Sequence, residues 1–276
     1  MAIPRISWHA QQRRAQRLRI VLLSVIGLTF AVPLLWTLLA SVGVQPSGHA
    51  FPPTLDHYLD VGIAEPNFWR ALLTSSLVSA LATLLTMTIA FPAAYSLARA
   101  SRRSTNSLLQ ALLVLASLPV MAYVIPLSDI ARRMHLLDNV IGVMLAQTAA
   151  VVPLAAYVLY GYLARLPVDV EEAAILDGAS LAHRLSHIVL PIILPGAAAT
   201  AIIALVLHWN MLLIPLVLNN GHIKTIPLAM IDFFTFEREL EWPTAAAALV
   251  VSLLPLISMV LLAYRLLARF RLSPGA

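Results

Sequence analysis

The sequence predicts an all-α integral membrane protein that crosses the bilayer six times. Hydrophobic residues make up 60% of the 276 residues and charged residues only 11%, whereas an ordinary soluble domain has about 25% charged residues. Six long apolar runs follow one another, and a transmembrane helix needs about 20 such residues. These spans and their connections use up the chain, so no second soluble domain of useful size is expected.

The apolar runs are separated by polar, charged or proline-containing segments. The fifth run is longer than a span requires, and its prolines are expected to break it. The predicted spans are Ile20 to Leu39, Ala71 to Leu97, Leu108 to Ile125, Val140 to Tyr162, Ile188 to Leu218 and Ala245 to Leu267.

The membrane domain is predicted to occupy residues 20–271. A basic segment with five arginines and no acid, residues 1–19, precedes it, and a short tail, residues 272–276, follows it. The first run is too long for the core of a signal peptide, which has about 7–15 apolar residues. The chain has no cysteine, which excludes disulfides and thiolate metal sites.

The distribution of basic residues predicts the orientation of the chain. With the N-terminus inside, the outer segments hold nine of the 13 acidic residues but only five of the 18 basic residues. Basic residues are enriched in cytoplasmic loops of membrane proteins. Both termini, and the loop between spans four and five, are therefore expected in the cytoplasm.

That loop, residues 165–190 and called the elbow below, holds four acidic residues within nine positions. Asp169 is expected to cap a helix, with Glu172 completing a capping-box-like pair. Gly178 is expected to end this helix in a left-handed conformation. Ser180 is expected to cap a second short helix, so that the segment forms a bent helical elbow.

The elbow also carries an extended motif. Glu172-Ala173-Ala174 is followed by three residues, Gly178, nine residues and Ile188-Val189-Leu190-Pro191. This spacing, with a span on each side, resembles the EAA loop of binding-protein-dependent ABC importer permeases. The alternative is an amphipathic connector without a partner.

Further landmarks resemble the sugar-importer branch of that family, the branch that includes the second permease of the maltose transporter. They occur in the order expected for it, from the end of span two to the last outer loop. They are Ala94-Tyr95 with Ala98-Arg99, Ile125-Pro126-Leu127, Trp209-Asn210, Pro215-Leu216, and Thr225-Ile226-Pro227-Leu228.

The resemblance implies a type I ABC importer permease of a bacterial inner membrane, with a cytoplasmic coupling helix in the elbow. It implies a second permease as heterodimer partner, two cytoplasmic ATPase subunits and an external solute-binding protein, and no nucleic acid. The implied solute is a sugar or a related polar carbohydrate. The elbow residues implied to contact an ATPase subunit are Glu171, Glu172, Ala173, Ala174, Asp177, Gly178, Ala179, Ser180 and Leu185.

The chain is not expected to be an enzyme or to bind a cofactor. It has no G-x-x-x-x-G-K-[ST] motif, and its only lysine, Lys224, follows Ile223, so no phosphate-binding loop is present. ATP and Mg are therefore expected on the partner ATPase.

Polar residues inside the spans are candidates for the translocation pathway, because buried polar groups often line a conduit. His208 and Asn210 in span five are such candidates; the alternative is an interhelical hydrogen bond. Ser79 and Thr83 in span two are further candidates. They belong to a stripe of small polar residues whose alternative role is close helix packing: Ser75, Ser79, Thr83 and Thr86.

Two remaining clusters have ordinary explanations. His183 and His187 lie four residues apart, a spacing that suits a metal, but no third ligand is near, so no metal site is expected. The outer loop has a charged run that could dock the binding protein or could simply be solvated. That run is Glu237, Arg238, Glu239 and Glu241.

A self-contained secondary transporter and an intramembrane enzyme are the two other classes of function open to a chain of this kind. A self-contained secondary transporter would normally have an intramembrane acid, and the six apolar runs contain neither Asp nor Glu. An intramembrane enzyme would need several reactive side chains at one depth of the spans, and none are found there. An importer permease is the favoured function, with the secondary transporter as the alternative.

Overall fold

The computed structural model describes residues 8–44, 53–64, 67–219, 221–233 and 242–271, and these ranges contain helices and no strand. This confirms the predicted all-α class. A π-helical turn, Arg184–Val189, joins the short helix Leu181–His183 to the helix Leu190–Trp209. The helices are α1 Trp8–Ser41, α2 Asp56–Ala64, α3 Phe68–Arg99, α4 Arg102–Ser117, α5 Val120–Arg133, α6 Val140–Leu163, α7 Val168–Leu176, α8 Leu181–His183, α9 Leu190–Trp209, α10 Leu213–Leu218, α11 Ile226–Asp232 and α12 Trp242–Arg271.

Within the described ranges, five helical stretches are long and apolar enough to cross a membrane, and a sharply bent helix pair supplies a sixth. The predicted number of spans is reached only if this pair counts as one span. The first helix starts at Trp8 and so reaches into the predicted basic segment. The five stretches are Gln16–Ser41, Phe68–Arg99, Val140–Leu163, Leu181–Trp209 and Trp242–Arg265.

The third predicted span is not one straight helix. It is divided into α4 and α5, whose axes differ by 89°. Leu118, with ψ of 128°, and Pro119, with ψ of 136°, are both extended at the break. A residue that precedes proline is pushed out of the helical region, and the proline has no N–H to continue the helix.

The fifth predicted span is broken at a different place from the one expected. The helix runs from Leu181 to Trp209 through both Pro191 and Pro195. Pro191 directly follows the π-helical turn, and such a local π adjustment lets a membrane helix continue through a proline. The helix ends at Asn210 instead, and α10 contains Pro215.

The chain divides into two compact units. One contains α1, α2 and the start of α12, up to Val251. Within it, the hydroxyl groups of Ser41 and Tyr58 are 2.7 Å apart and form a hydrogen bond. This contact joins the end of α1 to α2. The side chains of α1 from Leu18 to Leu39 are largely exposed, as a lipid-facing helix requires.

The other unit contains α3 to α11 and the rest of α12. Here α3 packs most extensively against α6, and both contact α9. The core at this helix junction contains several alanines, among them Ala90 and Ala155, and small residues let helices approach closely in membranes. At Gly196 of α9, an added Cβ atom would lie 2.3 Å from Cγ of Tyr162 in α6, so the two helices approach too closely there for a side chain.

Candidate functional site

The first helix of the elbow, α7, begins earlier than predicted. Its N-cap is Pro167, so Asp169 lies in the first turn and is not the cap. The predicted capping-box-like pair of Asp169 and Glu172 is therefore wrong. Proline is suited to the start of a helix because its φ is fixed near −65° and its missing N–H is not needed there.

The end of α7 follows the sequence prediction. Gly178 has φ of +79°, and its N–H donates to Ile175 O at 3.0 Å, while Ala179 N–H donates to Ala174 O at 3.0 Å. Nothing lies within 4 Å of a Cβ built at Gly178. Glycine is thus favoured here by the backbone conformation and not by lack of space.

Ser180 caps the next helix as predicted. Its Oγ accepts a hydrogen bond from His183 N at 3.3 Å, as an N-cap serine does. The helix that starts here does not end within the elbow, because it continues through the π-helical turn into α9. The elbow is therefore one short helix, α7, joined by the Gly178 turn to the beginning of the fifth span.

The elbow residues that were predicted to contact an ATPase divide into two groups. Glu171 and Ala174 are buried on the inner face of α7. Ala179 and Leu185 are half-buried. The residues that remain exposed are Glu172, Ala173, Asp177, Gly178 and Ser180.

The sequence reasoning missed Leu176, which lies on the same outer face of α7 as Glu172 and Ala173 at helical spacing. Its side chain is 88% exposed, the highest value among the exposed large hydrophobic residues that the structure describes. Unlike the exposed leucines of the candidate spans, Leu176 lies in a helix that is not itself a candidate span. The periodicity of α7 could have indicated it, because Leu176 follows Glu172 by four residues.

Glu171 is held by two residues from the end of α3. Tyr95 Oη donates to Glu171 Oε2 at 2.7 Å, and Arg99 Nε donates to Oε1 at 3.0 Å. Arg99 Nη2 also donates to Oε1, forming an ion pair. The guanidinium of Arg99 lies over the ring of Tyr95, with Cζ 5.8 Å from the ring centroid.

The charge state of Glu171 follows from these contacts. Burial by itself raises the pKa of the carboxyl group. Hydrogen bonds from Arg99 and Tyr95, and the nearby positive charges of Arg99 and Arg184, outweigh burial and hold the pKa of Glu171 below its ordinary value. Glu171 is therefore a buried, ionised and paired carboxylate.

His183 and His187 stack on the exposed side of the helix that follows the Gly178 turn, with ring centroids 4.4 Å apart and planes inclined by 13°. Ser186 Oγ lies 2.7 Å from Nδ1 of His187. No group of three or more metal-ligating side chains occurs among the described residues.

The structure does not bring the pathway candidates together. His208 is buried, and its Nε2 lies 3.1 Å from Thr86 Oγ1 of α3, which is the interhelical hydrogen bond given as the alternative. Nδ1 of His208 is also buried and has no partner among the described residues. Asn210 is exposed and donates to Val206 O at 2.8 Å.

The candidates in span two have separate surroundings. Ser79 is buried in α3, and the half-buried Thr83 donates to Ser79 O at 2.7 Å. Ser75, from the same stripe, accepts a hydrogen bond from Ile226 N at 2.7 Å and so fixes the start of α11 to α3. The charged run from Glu237 to Glu241 lies outside the described residues.

A second anchor in this region was not foreseen from the sequence. The Asp138 carboxylate accepts hydrogen bonds from the backbone N–H groups of His222 at 3.2 Å and Ile223 at 3.0 Å. It ties the loop before α11 to the turn between α5 and α6. No motif in the sequence around Asp138 indicated this role.

Comparison with known proteins identifies the family. Residues 88–271 match the family described as "Binding-protein-dependent transport system inner membrane component". A sulfoquinovosyl glycerol transport system permease of Agrobacterium fabrum is 28% identical, with 89% of this chain and 88% of that protein covered. A trehalose transport system permease of Mycobacterium tuberculosis is 30% identical, with 85% and 88% covered.

The fold is also found in a solved structure. A chain of a bacterial ABC transporter involved in alginate import superimposes with a TM-score of 0.72 at 19% identity, with 95% of this chain and 99% of that chain covered. Together with the family match, these similarities support an importer permease over a self-contained secondary transporter. The chain belongs to the inner membrane components of binding-protein-dependent transport systems and is a membrane-spanning permease of an ABC importer.

Proposed function

We propose that this permease carries a carbohydrate and is driven by a separate ATPase subunit that docks on the exposed face of the elbow. The observation that carries the docking proposal is the outer face of α7, which presents Glu172, Ala173 and the 88% exposed Leu176 outside the spans. An acid, a small residue and an unpacked leucine on one face suit a protein groove with a basic side chain and an apolar pocket.

The proposed docking surface consists of the exposed elbow residues and not of the full set predicted from sequence. Glu171 and Ala174 are excluded because they are buried within this chain. The surface is Glu172, Ala173, Leu176, Asp177, Gly178 and Ser180.

The carbohydrate proposal rests on the relatives, whose names include sulfoquinovosyl glycerol, trehalose and trehalose/maltose transport systems. A second permease, two ATPase subunits that bind ATP and Mg, and an external solute-binding protein complete the proposed complex. The chain itself hydrolyses no ATP and binds no cofactor in this proposal.

The docking proposal is tested by reversing the charge of Glu172. The full complex is purified by a tag on the permease, and the ATPase retained with it is measured. Glu172→Lys should lose most of the ATPase, because an exposed acid that meets a basic partner is replaced by a like charge. Asp129→Lys, which makes the same change at an exposed acid of α5, should retain it. Equal retention by both variants would refute docking at Glu172.

The substrate proposal is tested with the purified solute-binding protein of the proposed complex. Binding is measured by calorimetry across mono- and disaccharides, sugar phosphates and amino acids. Uptake of the tightest-binding saccharide by the reconstituted complex should require ATP. Binding of an amino acid but of no saccharide would refute the carbohydrate assignment and leave the docking proposal standing.

The proposed orientation places both termini and the elbow in the cytoplasm. Because the chain lacks cysteine, single cysteines can be introduced without a background. An impermeant thiol reagent added to intact cells lacking the outer membrane should label Gly221→Cys but not Ala179→Cys. Labelling of the second variant would refute this orientation.

A further inference from the structure

The two adjacent glutamates of the elbow have opposite surroundings. Glu172 is exposed, whereas Glu171 is 3% exposed and points to the end of α3. There, Tyr95 and Arg99 lie one helical turn apart and donate to the two carboxylate oxygens of Glu171. These three residues are called the Glu171 cluster below.

Both sides of the Glu171 cluster are held in place. The Arg99 side chain is only 20% exposed and lies over the Tyr95 ring. Two N–H groups of the Arg99 guanidinium donate to Oε1 of Glu171 while Tyr95 donates to Oε2, so both carboxylate oxygens are held. Removing one partner of a buried ion pair leaves the other charge buried and uncompensated, so the cluster resists separation.

The Glu171 cluster is well placed to connect the elbow to a span. Among the described helices, α7 packs chiefly against the π-helical turn and only to a small extent, so its connection to α3 depends on side chains that reach across. The π-helical turn contributes Arg184, whose charge acts on Glu171. Nε of Arg184 is buried and has no hydrogen-bond partner among the described residues.

We propose that Glu171 and Arg99 are positioning residues that transmit movement of the elbow to the second span, and that they do not contact the ATPase. This inference rests on the proposed docking of an ATPase on the outer face of α7. When the ATPase displaces α7, the buried ion pair moves the end of α3 with it. Without the pair, α7 moves independently, and ATP hydrolysis no longer changes the membrane helices.

The first experiment uses the complete complex in proteoliposomes with its solute-binding protein. Glu171→Gln should retain the ATPase as wild type does, while solute transported per ATP hydrolysed falls about tenfold, within the range of coupling free energies between sites. Glu172→Lys should instead lose the ATPase. Arg99→Lys keeps the charge but lacks the planar guanidinium that places two donors on Oε1. Its coupling should lie between that of wild type and that of Glu171→Gln, and it replaces Glu171→Gln in the experiment if that variant does not assemble.

The second experiment replaces the ion pair with a covalent link. Arg99→Cys/Glu171→Cys in this cysteine-free chain should be uncoupled, and bridging the two thiols with a short bis-maleimide should restore transport per ATP. A mere loss of folding stability would not be reversed in the already assembled complex.

Three results would overturn the inference: wild-type coupling in both Glu171→Gln and Arg99→Lys, loss of ATPase from Glu171→Gln equal to that from Glu172→Lys, or failure of the bridge to restore coupling. Failure of the wild-type chain to retain any ATPase would instead refute the proposed function. The two failures are therefore distinguishable.

Discussion

Leu176→Ala is expected to weaken the association of the permease with its ATPase by roughly 30-fold. The Leu176 side chain is 88% exposed, so nearly all of its apolar surface is available to a partner. The substitution removes three carbon atoms, and at about 0.8 kcal/mol per buried methylene the loss is roughly 2 kcal/mol. A change of about 1.4 kcal/mol corresponds to tenfold in Kd.

The assay is titration of the ATPase onto the permease in nanodiscs, with Kd measured by a fluorescent label on the ATPase. Leu59→Ala is the matched control, because Leu59 is 74% exposed in α2, within the loop predicted to lie on the outer side of the membrane. Thermal stability of both variants should equal that of wild type, since neither side chain is packed within the chain. This separates docking from folding.

Two results would refute this reasoning. A Kd for Leu176→Ala within about twofold of the control would mean that no apolar pocket receives this side chain, given that hot-spot truncations cost about 2 kcal/mol or more. A reduced unfolding temperature for Leu176→Ala alone would mean that the side chain packs within the permease.

Three further predictions concern the turn, the packing and the pathway. Gly178→Ala should disfavour the elbow turn by about 1–2 kcal/mol, because the backbone at Gly178 has a positive φ, and it should lower ATPase-dependent transport. Gly161→Ala is the control and should leave transport unchanged, since an added Cβ also lies in open space there. Gly196→Ala should lower the free energy of unfolding by about 1–3 kcal/mol, because the added methyl group overpacks against Tyr162. Adding Tyr162→Ala to that variant should relieve most of the loss, and strictly additive losses from the two substitutions would refute the contact. Asn210→Leu should reduce solute uptake without loss of assembly if Asn210 lines the pathway, and unchanged uptake would assign it to helix capping alone.

The sequence alone was sufficient for the features that depend on local rules. Apolar runs long enough to cross a bilayer must be helical, because every backbone polar group in lipid needs an internal partner. Gly178 and Ser180 act within one turn of the chain, so their positions predicted the end of α7 and the cap of the next helix. The spacing from Glu172 to Pro191 likewise predicted the family.

Local rules were insufficient where two of them compete. Asp169 is a good N-cap, but Pro167 two residues earlier has a fixed φ and starts α7 first. Pro191 was expected to break the fifth span, yet the helix continues through it, because the π-helical turn before it adjusts the backbone hydrogen bonds to the missing N–H.

Only the tertiary structure decided which elbow residues are exposed and which are buried against the membrane domain. Glu171 and Glu172 are identical side chains at adjacent positions, and nothing in the motif distinguishes them. Tyr95 and Arg99 precede Glu171 by 76 and 72 residues, so their convergence depends on the packing of α3, α6 and the elbow. Burial of a charge is favourable only where such partners meet it, and that meeting is a property of the fold.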